Sequence, residues 1–265
     1  MKSVYFQKSN ILAYLYIFLS ICMTSMFFNM IFDDLEAVVV MVIYYILMLF
    51  VLDEWIICKM NKIRYNLPKH DLKRIQGIIR QSAAVLLKNG YKIPTQYRIG
   101  YINDPIAFKL ISYSHHHIAV SRNLLDEYTD SQLKALLSFH MIQMSYKLPF
   151  LNYCVYISNV VVLLVYGFYF LAVFLMNKVI SVLSKPIANS LSIFLISPFT
   201  IVVYFMHKLK VKSSIENNCK CDEEVCKLGM KLDLLEALSL MHFHYRMDRK
   251  LADDLQERIF RIRSL

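Results

Sequence analysis

The chain has 265 residues, is 57% hydrophobic, and carries a formal net charge of +10. An ordinary soluble domain is ~45–50% apolar, and here the excess is gathered into blocks. The lysines and arginines flank those blocks, which excludes the nucleic-acid reading of a free basic domain and matches the positive-inside pattern of membrane proteins.

Residues 1–10 are polar, with Lys2 and Lys8, and Ile11 to Phe32 is an uncharged apolar run. That run reaches the ~20 residues a bilayer span requires, and no small-x-small site closes it as in a cleaved signal. Asp33, Asp34 and Glu36 form an acidic turn, and Ala37 to Leu52 is the second run, extendable to Cys58. Lys59, Lys62, Arg64, Lys69, Lys73 and Arg74 follow, so both ends of this first hairpin are expected on the cytoplasmic side.

From Asp71 the pattern is that of a mixed domain. Leu72, Ile75, Ile79, Ala83 and Leu86 recur with helical spacing up to Lys88, and Gly90 suits a left-handed C-cap. Residues 95–101, 106–113 and 115–121 read as short strands, the last two as a hairpin. Thr129 to Pro149 reads as a helix, with Thr129 and Gln132 as a capping box and Pro149 as its end. Leu133, Leu137, His140 and Met144 share one face of it.

Phe150 to Met176 and Pro186 to Met206 are the third and fourth apolar runs, and Lys208, Lys210 and Lys212 restore the basic flank. Beyond Ser213 the chain is expected to be helical: 222–228 closed by Gly229, then 232–247, then a charged amphipathic stretch, 248–262. Of the six cysteines, Cys22, Cys58 and Cys154 lie in or beside apolar runs, while Cys219, Cys221 and Cys226 cluster. This is not a secreted disulfide framework, and on the cytoplasmic side the thiols stay reduced.

Nearly the whole chain, from Ile11 to Leu240, resembles the HtpX-type membrane zinc metallopeptidases. The resemblance rests on the order of spans and domain pieces and on local segments: LKNGYKIPTQY at 87–97, NDPIAF at 103–108, IAVSRNLL at 118–125, the 130–144 helix, and SIENNCKCDEEVCKLG at 214–229. It implies an α-rich membrane protein with four transmembrane helices and a cytoplasmic α+β zincin-like domain. Its parts would be a first hairpin (1–58), a cytoplasmic piece (59–149), a second hairpin (150–206) and a second cytoplasmic piece (207–265). The implied location is a bacterial inner membrane, multi-pass, with both termini cytoplasmic and the lipid bilayer as partner.

The family's H-E-x-x-H pentad falls on His140-Met141-Ile142-Gln143-Met144. His140 matches the first zinc histidine. Met141 stands at the general-base position, and Met144 and Asn218 stand at the lost second and third ligand positions. Asp222 matches the aspartate behind the ligands, and Ile215 replaces an arginine. A catalytic zinc needs three N, O or thiolate donors plus water, and a missing base forfeits ~10²–10⁴ in rate. The expectation is therefore a catalytically inactive pseudopeptidase without a cofactor, which binds or regulates a protein or peptide partner. Its expected binding surface is an exposed edge strand at His115, His116, His117, Ile118, Ala119 and Val120. The rivals are an active zinc metalloendopeptidase with a rearranged ligand set and a structural subunit of a membrane complex. Replacement metal sites could use His140 with Cys219, Cys221 and Cys226, copper(I) at His140, Met141 and Met144, or the triple histidine. Along a strand, however, side chains alternate faces and three in a row do not converge.

Overall fold

The computed structural model describes residues 8–29, 33–104, 106–113, 116–182 and 184–265. His115, part of the expected peptide-binding strand, lies outside them. Two compact units emerge: 52–151 with 215–265, and 8–51 with 152–214.

The second unit is all helix. It contains α1 (Lys8–Asn29), α2 (Asp34–Ile46) running into a π-helical turn (Leu47–Val51), most of α7 (Leu148–Ser181) and the first part of α8 (Lys185–Lys227). Helices α7 and α8 are long and apolar enough to cross a membrane, and 35–60 makes a third if its bent pair of helices is one span. In α1 the apolar stretch is shorter, Asn10–Met26. Its packing inverts that of a soluble bundle: Phe18, Phe168, Phe174, Phe194 and Phe205 are exposed, while Ser20, Thr24 and Ser158 are buried. Some of the interior polar groups find partners, while among the described residues the Ser158 and Ser192 hydroxyls make no hydrogen bond. Tyr16 donates to Asn159 Oδ1 at 2.9 Å, Ser20 to the Ser158 carbonyl at 3.0 Å, and Tyr169 to the Leu195 carbonyl at 2.8 Å. Where no water reaches, such interhelical bonds offset the cost of burying a polar side chain.

The mixed unit holds α3 (Asp53–Met60), β1 (Ile63–Arg64), α4 (Lys69–Lys88), β2 (Arg98–Ile102), β3 (Leu110–Tyr113), β4 (His117–Ser121), α5 (Arg122–Glu127), α6 (Asp130–Ser145), α9 (Lys231–His244) and α10 (Arg249–Ser264). The strand order is β1-β2-β4-β3, with β2 parallel to β4 and the other pairs antiparallel. Gly90 has φ +81° and ends α4 as its sequence implies. Gly100 has a different role. A Cβ there would lie 2.7 Å from Ile63 Cγ2, so its bare backbone admits β1 against β2. Gly100→Ala is expected to destabilise the unit by ~1–3 kcal/mol through overpacking. Thermal unfolding in detergent checks this, and adding Ile63→Ala should recover part of the loss.

Three expectations are corrected. The strand 117–121 is not an edge. It is flanked by β2 and β3, and His117, Ile118, Ala119, Val120 and Ser121 are all buried. A run buried on both faces is the mark of a central strand paired in parallel. The open edges are β1 and β3. Pro149 does not end α6: the break is at Lys147, with φ 55°, and Pro149 lies in the first turn of α7. A first-turn proline loses no helical bond, since its N–H would have no intrahelical partner. Residues 222–228 are no separate helix but the end of α8, which runs 43 residues to a stop at Gly229, φ +81°.

Candidate functional site

Helix α6 is the floor of the candidate site. Its start is fixed by a complete capping box, the Thr129 side chain accepting from Gln132 N–H and the Gln132 side chain from Thr129 N–H. Leu133, Leu137 and Met144 are buried, but so are Ala135, Leu136, Phe139, Met141 and Ile142. The helix is therefore embedded on nearly all sides rather than amphipathic.

A cavity of about 330 Å³ opens over it, lined by Leu110 and Ile111 of β3, His140 and Gln143 of α6, Asn218 of α8 and Arg258 of α10, among others. Three polar bonds join the floor. His140 Nδ1 lies 3.1 Å from Ser112 Oγ, Ser112 donates to Gln143 Oε1 at 3.3 Å, and Gln143 Nε2 donates to Asn218 Oδ1 at 3.1 Å. In that direction Nδ1 carries the imidazole proton and Nε2 is left as an acceptor. Burial, then the nearby Arg258 charge, pushes the His140 pKa down to about 3, so the imidazole is neutral at physiological pH.

The structure thus brings to one cavity His140 and Asn218, two of the four positions singled out by the resemblance. Met141 and Met144 are packed in the core and do not line the cavity. Gln143 takes the place facing Asn218, one residue earlier than the expected ligand position. Asp222 is buried, does not line the cavity, and receives two bonds from Arg258, Nε to Oδ2 and Nη2 to Oδ1, both 2.8 Å. Burial lifts the Asp222 carboxyl above its usual range against the pull of that guanidinium. The guanidinium also lies 4.5 Å from the Phe139 ring centroid.

These groups do not fit a catalytic zinc. One imidazole and two carboxamides bonded to each other offer a single good donor, whereas zinc asks for three. Among the described residues no group of three or more His, Cys, Asp or Glu is placed to hold a metal. Cys219 and Cys221 are buried, Cys226 partly so, and burial raises all three thiols, that of Cys219 to about 11. Protonated thiols are poor metal ligands. His117 is buried beside Tyr113, with ring centroids 5.0 Å apart, and burial lowers its pKa.

Set against models of known families, curated proteins and solved structures, the chain matches none. Its site must therefore be read from its own geometry.

That geometry includes groups the sequence reading passed over. Gln143 is signalled by its i+3 spacing from His140, which puts both on neighbouring positions of one helix face. Ser112 and Arg258 are not signalled, because nothing local links them to α6. The open side of β3 was also missed. Ser121 N–H donates to the Lys109 carbonyl at 2.9 Å, so residues 109, 111 and 113 face β4. Leu110 and Ser112 then turn their backbone groups outward. At Phe108, in the same phase, the Tyr245 hydroxyl accepts the outward N–H at 3.0 Å.

Proposed function

We propose that this chain is a degenerate, catalytically inactive HtpX-type membrane protein with four spans: α1, the 35–51 helix, and the apolar parts of α7 and α8. Its zincin-like cytoplasmic unit captures an extended protein or peptide segment. The observation that carries this reading is the open strand β3 beside the His140 cavity. An extended peptide adds to such an edge through main-chain bonds, with pockets reading alternate side chains. The floor offers hydrogen bonds from His140, Gln143 and Asn218, and Met141, at the general-base position, is packed in the core away from it. The inverted burial of the helical unit supports the membrane assignment, and the basic flanks support its orientation.

The test removes one outward donor. Leu110→Pro deletes the N–H on the open side, where an edge strand tolerates proline, and Leu110→Ala controls for packing. A partner recovered with the wild-type chain from solubilised membranes is expected to fall about tenfold with the proline variant, near the upper range for one net hydrogen bond. It should persist with Leu110→Ala. Equal recovery with Leu110→Pro would sink the edge-strand reading. One equivalent of zinc in purified protein, lost on His140→Ala, would establish the metallopeptidase instead.

A further inference from the structure

A second cavity, of about 460 Å³, opens at the junction of α3 and β1, lined among others by Trp55, Lys59, Lys62, Arg64 and Asn103. Three of these side chains are cations, and no carboxylate lines the space. Lys62 has one acid nearby, Asp104 at 3.6 Å, in a pair open to solvent. Lys59 and Arg64 have no ion-pair partner among the described residues.

The backbone is bent to make this arrangement. Lys62 has φ 53°, a left-handed conformation that costs any residue with a Cβ. It is held there by Asn103 N–H donating to the Lys62 carbonyl at 3.1 Å and by Lys62 N–H reaching the Lys59 carbonyl at 3.4 Å. The turn gathers three cations from six residues of chain around one space. Trp55, 64% exposed, and Met60, 55% exposed, add apolar surface to the same helix. In sequence, α3 follows directly on the apolar run that ends at Leu52.

A basic cluster beside a span attracts anionic lipid, and an exposed indole there suits the depth of the headgroups. A phosphate free in water would use the cations but gain nothing from Trp55 or Met60. We propose that this cavity binds the phosphate of an anionic phospholipid headgroup. The proposal rests on the membrane reading given above.

Trp55 is the chain's single tryptophan, so its emission reports on this site alone. The full-length protein is reconstituted into phosphatidylcholine nanodiscs with increasing phosphatidylglycerol. The expected result is a saturable change in Trp55 emission with phosphatidylglycerol. The Lys59→Gln, Lys62→Gln, Arg64→Gln triple variant should lose about 100-fold in apparent affinity, at about fivefold per cation. The charge-conserving Lys59→Arg, Lys62→Arg, Arg64→Lys variant should retain the response. Identical emission in both lipids, or a neutralised variant that responds like wild type, would overturn the site. Inorganic phosphate reproducing the change in phosphatidylcholine discs would also overturn it, by assigning a soluble anion instead. A chain that needs no detergent and enters neither kind of disc removes the membrane reading itself, an outcome distinct from all of these.

Discussion

Replacing Arg258 by Met is expected to destabilise the mixed unit by about 3–5 kcal/mol, the usual cost of removing one partner of a buried ion pair. Asp222 is 2% exposed and Arg258 8%, so neither charge can turn to water when its partner is lost. The attraction itself is not the source of the cost, since desolvation offsets most of it. The cost arises because Asp222 would be left charged, buried and unpaired. The double variant Asp222→Leu, Arg258→Met should therefore recover most of the loss, and thermal unfolding of all four proteins in detergent measures the coupling. The single variant carries a pH signature as well. The Asp222 carboxyl is already lifted by burial, and without the guanidinium it lifts further and takes up a proton, so the deficit should shrink as the pH falls towards 5. A deficit below 1 kcal/mol, within the range of a surface pair (~0–1 kcal/mol), would mean that the bidentate contact does not form. The pair also joins α8 to α10 across 36 residues of sequence. This makes α10 part of the fold, with Leu255, Ile259 and Ile262 buried alongside Arg258, rather than a solvated tail.

Much of the local structure was legible because its determinants are local. The Thr129–Gln132 capping box and the Gly90 stop of α4 depend on residues within a turn or two of one another, and the apolar length of α7 on one unbroken run of chain. Strand order was not legible. Alternation along 115–121 cannot tell an edge from the centre, and the decisive fact, that both faces of Ile118 and Ala119 are covered, belongs to β2, β3 and the helices around them. β1 is only two residues long, too short for any periodicity to register. At the site, the position of His140 was readable from spacing within one helix. The hydrogen-bonded chain of His140, Ser112, Gln143 and Asn218 was not, because it joins three elements far apart in sequence. Pro149 misled for a reason of its own: proline stops one helix and starts the next equally well, and the left-handed Lys147 that decides between them has no sequence signature.

His140 should make stability fall as the solution is acidified, and the sign follows from the two states. In the folded chain the imidazole stays neutral down to a pKa of about 3, held there first by burial and then by the Arg258 charge. In the unfolded chain it titrates at ~6.5. Between those values the unfolded state binds a proton that the folded state refuses, so stability is complete above the unfolded pKa and drains away below it. From pH 7.5 to 5.0 the loss from this one group should reach about 2 kcal/mol, at 1.36 kcal/mol per unit below ~6.5. Burial also lowers His117, which adds a slope of the same sign, so the informative quantity is a difference. His140→Gln keeps a side-chain amide near Ser112 without a titrating group, and its unfolding midpoint should fall less than that of wild type over the same range, with His117 contributing equally to both. Parallel curves would show that His140 is already solvated. In that event the cavity floor is open to water, and the neutral chain of His140, Ser112, Gln143 and Asn218 cannot be what shapes the groove beneath β3.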